Sequence, residues 1–118
     1  MARSKLYRYR SHFKVLFWLA LAGITALALM PQASVPQTQL SDKGNHVLAF
    51  VVLGFLLRMG FRISYFKGLA LLILYGTAIE AVQYFTPDRY AEWEDVAADT
   101  IGTFVGFKLY KYLAKVLR

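Results

Sequence analysis

The chain has 118 residues, 58% of them apolar and 16% aromatic, with a formal charge of +7 and no cysteine. Its mean hydropathy of +0.42 exceeds what one short soluble domain can hide, because small domains bury only a modest fraction of their surface. A membrane is therefore the expected solvent, one domain the expected extent over residues 1–118, and disulfides, thiolate metal sites and a cysteine nucleophile are excluded.

Residues 1–11 are basic and tyrosine-rich, as in a juxtamembrane segment that touches anionic lipid heads. An apolar run over about 12–30 follows, interrupted beyond Lys14 only by Thr25, and is long enough for a rather short spanning helix. A cleavable signal peptide is the rival reading, since Ala26-Leu27-Ala28 has small-residue cleavage character after a basic start. Residues 31–41 hold two prolines and no charge, which predicts a loop.

A second helix is expected over about 43–59, capped by Ser41 or Asp42, with Asn45 and His46 near its start and a basic turn at Arg58 and Arg62. The third is expected over about 64–85 and beyond Lys67 carries no charge until Glu80, with Gln83 one turn on. Thr86-Pro87-Asp88-Arg89 breaks it, because proline lacks an amide donor and disfavours helix in the residue before it. The fourth is expected over about 92–114; Glu92, Glu94 and Asp95 suit the positive end of its dipole, and Lys108 and Lys111 can snorkel at its far end. The tyrosines and Trp93 read as interface anchors.

These segments predict an all-α fold, a four-transmembrane-helix bundle. Four crossings put twelve of the fourteen Lys/Arg on the side of both termini and leave Lys43 and Arg89 on the other, where all seven acids fall. The positive-inside bias then gives cytoplasmic termini and an acidic half facing out of a bacterial inner membrane. The same distribution argues against nucleic acid as a partner, since each basic patch flanks an apolar segment.

Depth predicts which polar groups share a layer. Glu80 lies about 8 Å inside the outer end of its helix, Asp99 about 9 Å inside the start of the fourth, and His46 about one turn deep. Residues three or four apart share a face, which aligns Asp42 with His46, Gly76 with Glu80 and Gln83, and Asp95 with Asp99, Gly102 and Gly106. The last series turns an acidic face into a glycine groove that admits a neighbouring helix backbone, pointing both carboxylates into the bundle.

Ser41-Asp42-Lys43-x-x-His46, Glu80-x-x-Gln83, Pro87-x-Arg89, and Asp95 followed by Thr100-x-Gly102-x-x-x-Gly106 resemble, in order and spacing over about 40–107, the VanZ-like family of small bacterial membrane proteins. The resemblance implies an integral inner-membrane protein, with a relative that confers resistance to the glycopeptide teicoplanin without remodelling the peptidoglycan precursor. Asp99 stands where the family pattern has Asn, which adds a negative charge beside Asp95.

Each polar group carries two readings. His46 is a general base or a metal ligand in a mixed His/carboxylate set, or else an interfacial histidine bonded to a carboxylate or water. Glu80 is an acid/base group, or half of an ion pair with Arg89 or Lys43. Asp95 and Asp99 share a proton, or hold a divalent cation with Glu80, although Asp95 also suits the helix terminus. Arg89 with Lys43 clamps an anionic head group, or Arg89 pairs only with Asp88 or Glu92.

Two functions of different class follow. In one, the chain is an envelope factor that binds membrane lipid or a lipid-linked, amphipathic or glycopeptide ligand, with Asp42, Lys43, Gln83, Arg89 and Asp95 in the binding site. In the other, it is an intramembrane enzyme that uses His46, Glu80 and Asp99 on a lipid-linked substrate. A proton-coupled transporter is a third, weaker fit for so few helices. No phosphate loop, nucleophile motif or complete metal signature is present, and the sequence leaves the identity of any cofactor open.

Overall fold

The computed structural model describes residues 8–29, 42–85 and 93–116. Among these residues the chain is all-α, with four helices and no strand: α1 (Arg10–Leu29), α2 (Asp42–Gly60), α3 (Tyr65–Tyr84) and α4 (Trp93–Val116). Each boundary falls within two residues of its sequence expectation. Ser64 lies outside α3 as its N-cap, in extended geometry, and its side-chain oxygen accepts from the amide of Lys67 at 3.2 Å. At the other end Phe85 is the C-cap, its amide donating to the carbonyl of Val82 at 3.1 Å. Glu94 and Asp95 occupy the first turn of α4 and Lys115 the last, complementing the dipole at both ends. Ser41, the alternative cap of α2, lies outside the described residues.

The helices run alternately up and down. Gly60 at the end of α2 sits against Phe13 and Lys14 near the start of α1, and Gln83 near the end of α3 reaches Ala28 near the end of α1. Gly68 near the start of α3 meets Phe107 towards the end of α4, while Gly76 meets Asp99 nearer its start. Helices α2 and α4 are therefore parallel, as are α1 and α3, and α1 begins at the end of the bundle where α4 finishes. Arg10, Arg58, Arg62 and Tyr110 accordingly line one cleft of about 280 Å³ with Phe61 and Ile63.

The closest helix contact is that of α2 with α4, and glycine makes it. Gly102 packs on the carbonyl of Val47, and Gly106 one turn on packs on that of Val51. Gly54 of α2 answers from the other side, where a side chain would stand 3.0 Å from the carbonyl oxygen of Thr103. The groove expected from Gly102 and Gly106 is thus filled by the α2 backbone, as small residues permit. Around this seam Phe17, Phe50, Leu53, Leu56, Leu57, Leu72 and Phe107 form the apolar core.

The outside is apolar as well. Leu19, Phe66, Leu74, Val105 and Tyr112 are exposed, and α1, apolar from Val15 onward apart from Thr25, buries only Phe17. Among the described residues two helices, α1 and α3, are long and apolar enough to cross a membrane, and Gly44–Gly60 is a shorter apolar stretch. A helix apolar all round needs an apolar medium or a partner to cover it.

Candidate functional site

Polar side chains gather at the end of the bundle away from the basic cleft. On α3 the buried residues Gly68, Leu72, Gly76, Ile79, Glu80 and Gln83 recur at steps of three and four, so Glu80 and Gln83 continue the stripe that faces the core. Asp95, Asp99 and Gly102 do the same on α4, one side of which meets α2 while the other meets Gly76. Asp95 and Asp99 are each 1% exposed and Glu80 7%, burial rarely seen for acids unless they are paired or coordinated.

Asp99 is held from two sides. Its Oδ1 lies 2.8 Å from Nδ1 of His46, and its Oδ2 occupies the space beside Gly76, where a Cβ would stand only 2.6 Å away. With Asp99 ionised, Nδ1 of His46 donates this bond. The other ring nitrogen, Nε2, is directed towards Oδ2 of Asp95 at 4.0 Å. His46, Glu80 and Asp95 each bring one ligand-type atom to a common point, all three atoms lying within 4.8 Å of one another. One imidazole and three carboxylates from α2, α3 and α4 thus share a small, largely buried volume.

The family model described as VanZ/LLP1 matches residues 8–115. The chain belongs to the VanZ/LLP1 family. The match extends well beyond residues 40–107, where the motif resemblance lies, and takes in α1. No curated protein and no solved structure gives a significant match to the chain.

In this VanZ/LLP1 chain, His46, Glu80, Asp95 and Asp99 come together, whereas Gln83 is engaged elsewhere. Its Nε2 donates to the carbonyl oxygen of Ala28 at 2.9 Å, so it ties α3 to α1 beside the cluster. The side chains of Asp42 and Lys43, and all of Arg89, lie outside the described residues; so do the possible pairs of Arg89 with Asp88 or Glu92 and of Glu80 with Arg89 or Lys43.

Three features escape a reading of the sequence by motif. Tyr75 is no interface anchor: it lies in the middle of α3, half-buried, ring to ring with Phe50 at 5.9 Å and hydrogen-bonded to Thr25 of α1. Thr25 Oγ1 gives its own proton to the carbonyl of Leu21 at 2.7 Å, so the Tyr75 hydroxyl is the donor in that pair. The signal was position, since Tyr75 stands about ten residues, or some 15 Å, from either end of its helix. Gly76 is the second, its hydrogen atom leaving room for the Asp99 carboxylate. Arg58 is the third: it donates to the carbonyl of Ile63 at 3.1 Å and lies over the rings of Phe107 and Tyr110, at 5.5 and 5.0 Å, so its charge is built into the basic end.

Proposed function

We propose that this VanZ/LLP1 protein is a four-span protein of the bacterial inner membrane, with cytoplasmic termini, that binds a lipid-linked or amphipathic envelope molecule at its outward end. The observation that carries the reading is the cluster of His46, Glu80, Asp95 and Asp99, buried between three helices at the end of the bundle opposite its basic charges. Ionisable groups placed in apolar helices are costly, face the bundle interior, and mark sites of function. The apolar exterior and the two helices of spanning length support the membrane setting. Charge segregation supports its direction, because basic residues favour the cytoplasmic side.

In this reading the polar cluster and its rim hold a head group while a tail lies along the apolar flank of α3 and α4. Lys43 and Arg89, the two cations that sequence places at the acidic end, supply the anionic contacts. An amphipathic glycopeptide of the teicoplanin type has the required division into polar and apolar parts, which links the reading to the resistance that the family resemblance implies.

A second reading is supported by the His46–Asp99 hydrogen bond. A carboxylate that fixes one imidazole nitrogen leaves the other available as a general base, with Glu80 nearby as a proton donor. The protein would then be an intramembrane enzyme acting on a lipid-linked substrate.

Separate Glu80→Gln and Arg89→Lys variants distinguish the two. Each is purified in detergent, its co-purifying amphiphiles are identified by mass spectrometry, and its effect on teicoplanin susceptibility is measured in a susceptible host. A binder shows phenotype tracking retention in both variants. An enzyme loses function in Glu80→Gln with retention intact, and turnover of lipid by the purified protein would overturn the binding reading.

A further inference from the structure

We propose that His46, Glu80 and Asp95 bind one first-row divalent cation, of the Mn²⁺ to Zn²⁺ series, with Asp99 positioning the histidine. The proposal is independent of the occupant suggested above, since it concerns the metal alone and requires no amphiphile.

Distance is the first ground. Two ligands on one tetrahedral zinc stand about 3.3 Å apart, and two on opposite sides of an ion are separated by twice a bond of about 2.0–2.1 Å. The 4.0 Å between His46 Nε2 and Asp95 Oδ2 is too long for a hydrogen bond and falls inside that interval. The Glu80 carboxylate completes a set whose atoms all lie within 4.8 Å of one another, so small rotations about side-chain bonds bring the three onto an ion.

The orientation of the histidine is the second. A metal-binding imidazole characteristically donates its other N–H to a carboxylate, which fixes the tautomer and strengthens the ligand. His46 has that arrangement: Nδ1 is bonded to Asp99 Oδ1 at 2.8 Å, and Nε2 lies 4.0 Å from Oδ2 of Asp95. Gly76 makes the arrangement possible, because a side chain there would displace the second oxygen of Asp99.

Charge and donor type are the third. Three carboxylates close together in a low-dielectric place repel one another, and a dication relieves that repulsion where one imidazolium or a shared proton relieves part of it. One nitrogen and two oxygen donors suit manganese, iron or zinc better than calcium, which takes oxygen alone. Three protein ligands leave a coordination position open, as in sites that bind or activate a further molecule.

The test uses full-length protein free of any histidine tag, purified in detergent, stripped with chelator and dialysed against Zn²⁺ or Mn²⁺ alone. Bound metal is counted by mass spectrometry of the elements and affinity is measured by calorimetry. The expected result is about one equivalent of tightly held metal. Glu80→Gln and Asp95→Asn each abolish tight binding, and Asp99→Asn weakens it by about 10–100-fold without changing the stoichiometry. Glu94→Gln, at an exposed acid in the same turn as Asp95, leaves binding unchanged. Circular dichroism and gel filtration check that each variant is folded, and the wild-type stoichiometry stands whatever the variants do. Wild-type protein that retains no equivalent, or an equivalent that survives both Glu80→Gln and Asp95→Asn, overturns the proposal.

Discussion

Replacing Gly106 by alanine puts a methyl group where the backbone of α2 already lies. The new Cβ would stand 2.8 Å from the amide nitrogen of Phe55 and 3.2 Å from the carbonyl carbon of Gly54, and it would also press on the carbonyl oxygen of Val51. No rotamer relieves such a clash, because the atoms it meets are main chain. Ordinary contact begins at 3.4 Å, so the two helices must part by at least 0.6 Å at this level, the difference between 3.4 and 2.8 Å. Overpacking of this kind costs about 1–3 kcal/mol, and the better helix propensity of alanine returns at most about 1. Relative to an alanine that gains the same propensity without the clash, the expected destabilisation is about 1–3 kcal/mol.

The separation reaches the polar cluster too, because Asp99 lies two turns away on the same helix. Its 2.8 Å bond to His46, stretched by that 0.6 Å, would reach the limit of a hydrogen bond. Reversible unfolding in mixed micelles measures the stability change. Gly23→Ala is the control, since its new Cβ meets nothing within 4 Å and gains only propensity. If Gly106→Ala proves as stable as Gly23→Ala, close packing of α2 on α4 does not hold this bundle together.

Further expectations address the site, the core and the topology. Gly76→Ala drives the buried Asp99 carboxylate away from His46, and its nearest contacts are all side-chain atoms, so stability should fall by about 1–3 kcal/mol as the carboxylate loses its bond, and amphiphile retention should fall with it; unaltered retention would show that the His46–Asp99 contact is dispensable. Thr25→Val and Tyr75→Phe, combined in a double-mutant cycle, should show a coupling of about 0.5–1.5 kcal/mol from their shared hydrogen bond, and additive effects would remove that tie between α1 and α3. The absence of native cysteine allows clean labelling of single introduced thiols. In intact bacterial cells an impermeant thiol reagent should label Tyr84→Cys and spare Tyr112→Cys, and the opposite pattern would invert the proposed orientation.

Much of the candidate site was legible because acids in apolar helices are conspicuous and helical periodicity assigns each to a face. Glu80 was placed on one face with Gly76 and Gln83 and at a depth close to that of Asp99, and the face that Asp99 shares with Asp95 and Gly102 was expected to point inward. Tyr75 was not legible in the same way, because a tyrosine in an apolar helix reads equally as an anchor at a membrane surface or as a buried donor, and only Thr25 across the bundle decides between them. Gln83 shows the same gap: its face was clear from spacing, but its partner is a carbonyl on α1, and main-chain groups carry no signature in sequence.

Sequence alone determined four helical segments, their boundaries to within two residues, the gathering of acids at one end and basic residues at the other, and the glycine face of the fourth helix. These follow from local rules, in which hydrophobic runs, proline breaks and capping residues act on their own stretch of chain. Tertiary structure decided that α2 runs parallel to α4 at backbone contact, that His46 bonds Asp99 while its other nitrogen faces Asp95, and that Gly76 makes space for the carboxylate between them. A helix carries its side chains at fixed angles about its own axis, but the rotation and height of its neighbour depend on how two whole surfaces fit, and that fit selects which carboxylate the histidine meets.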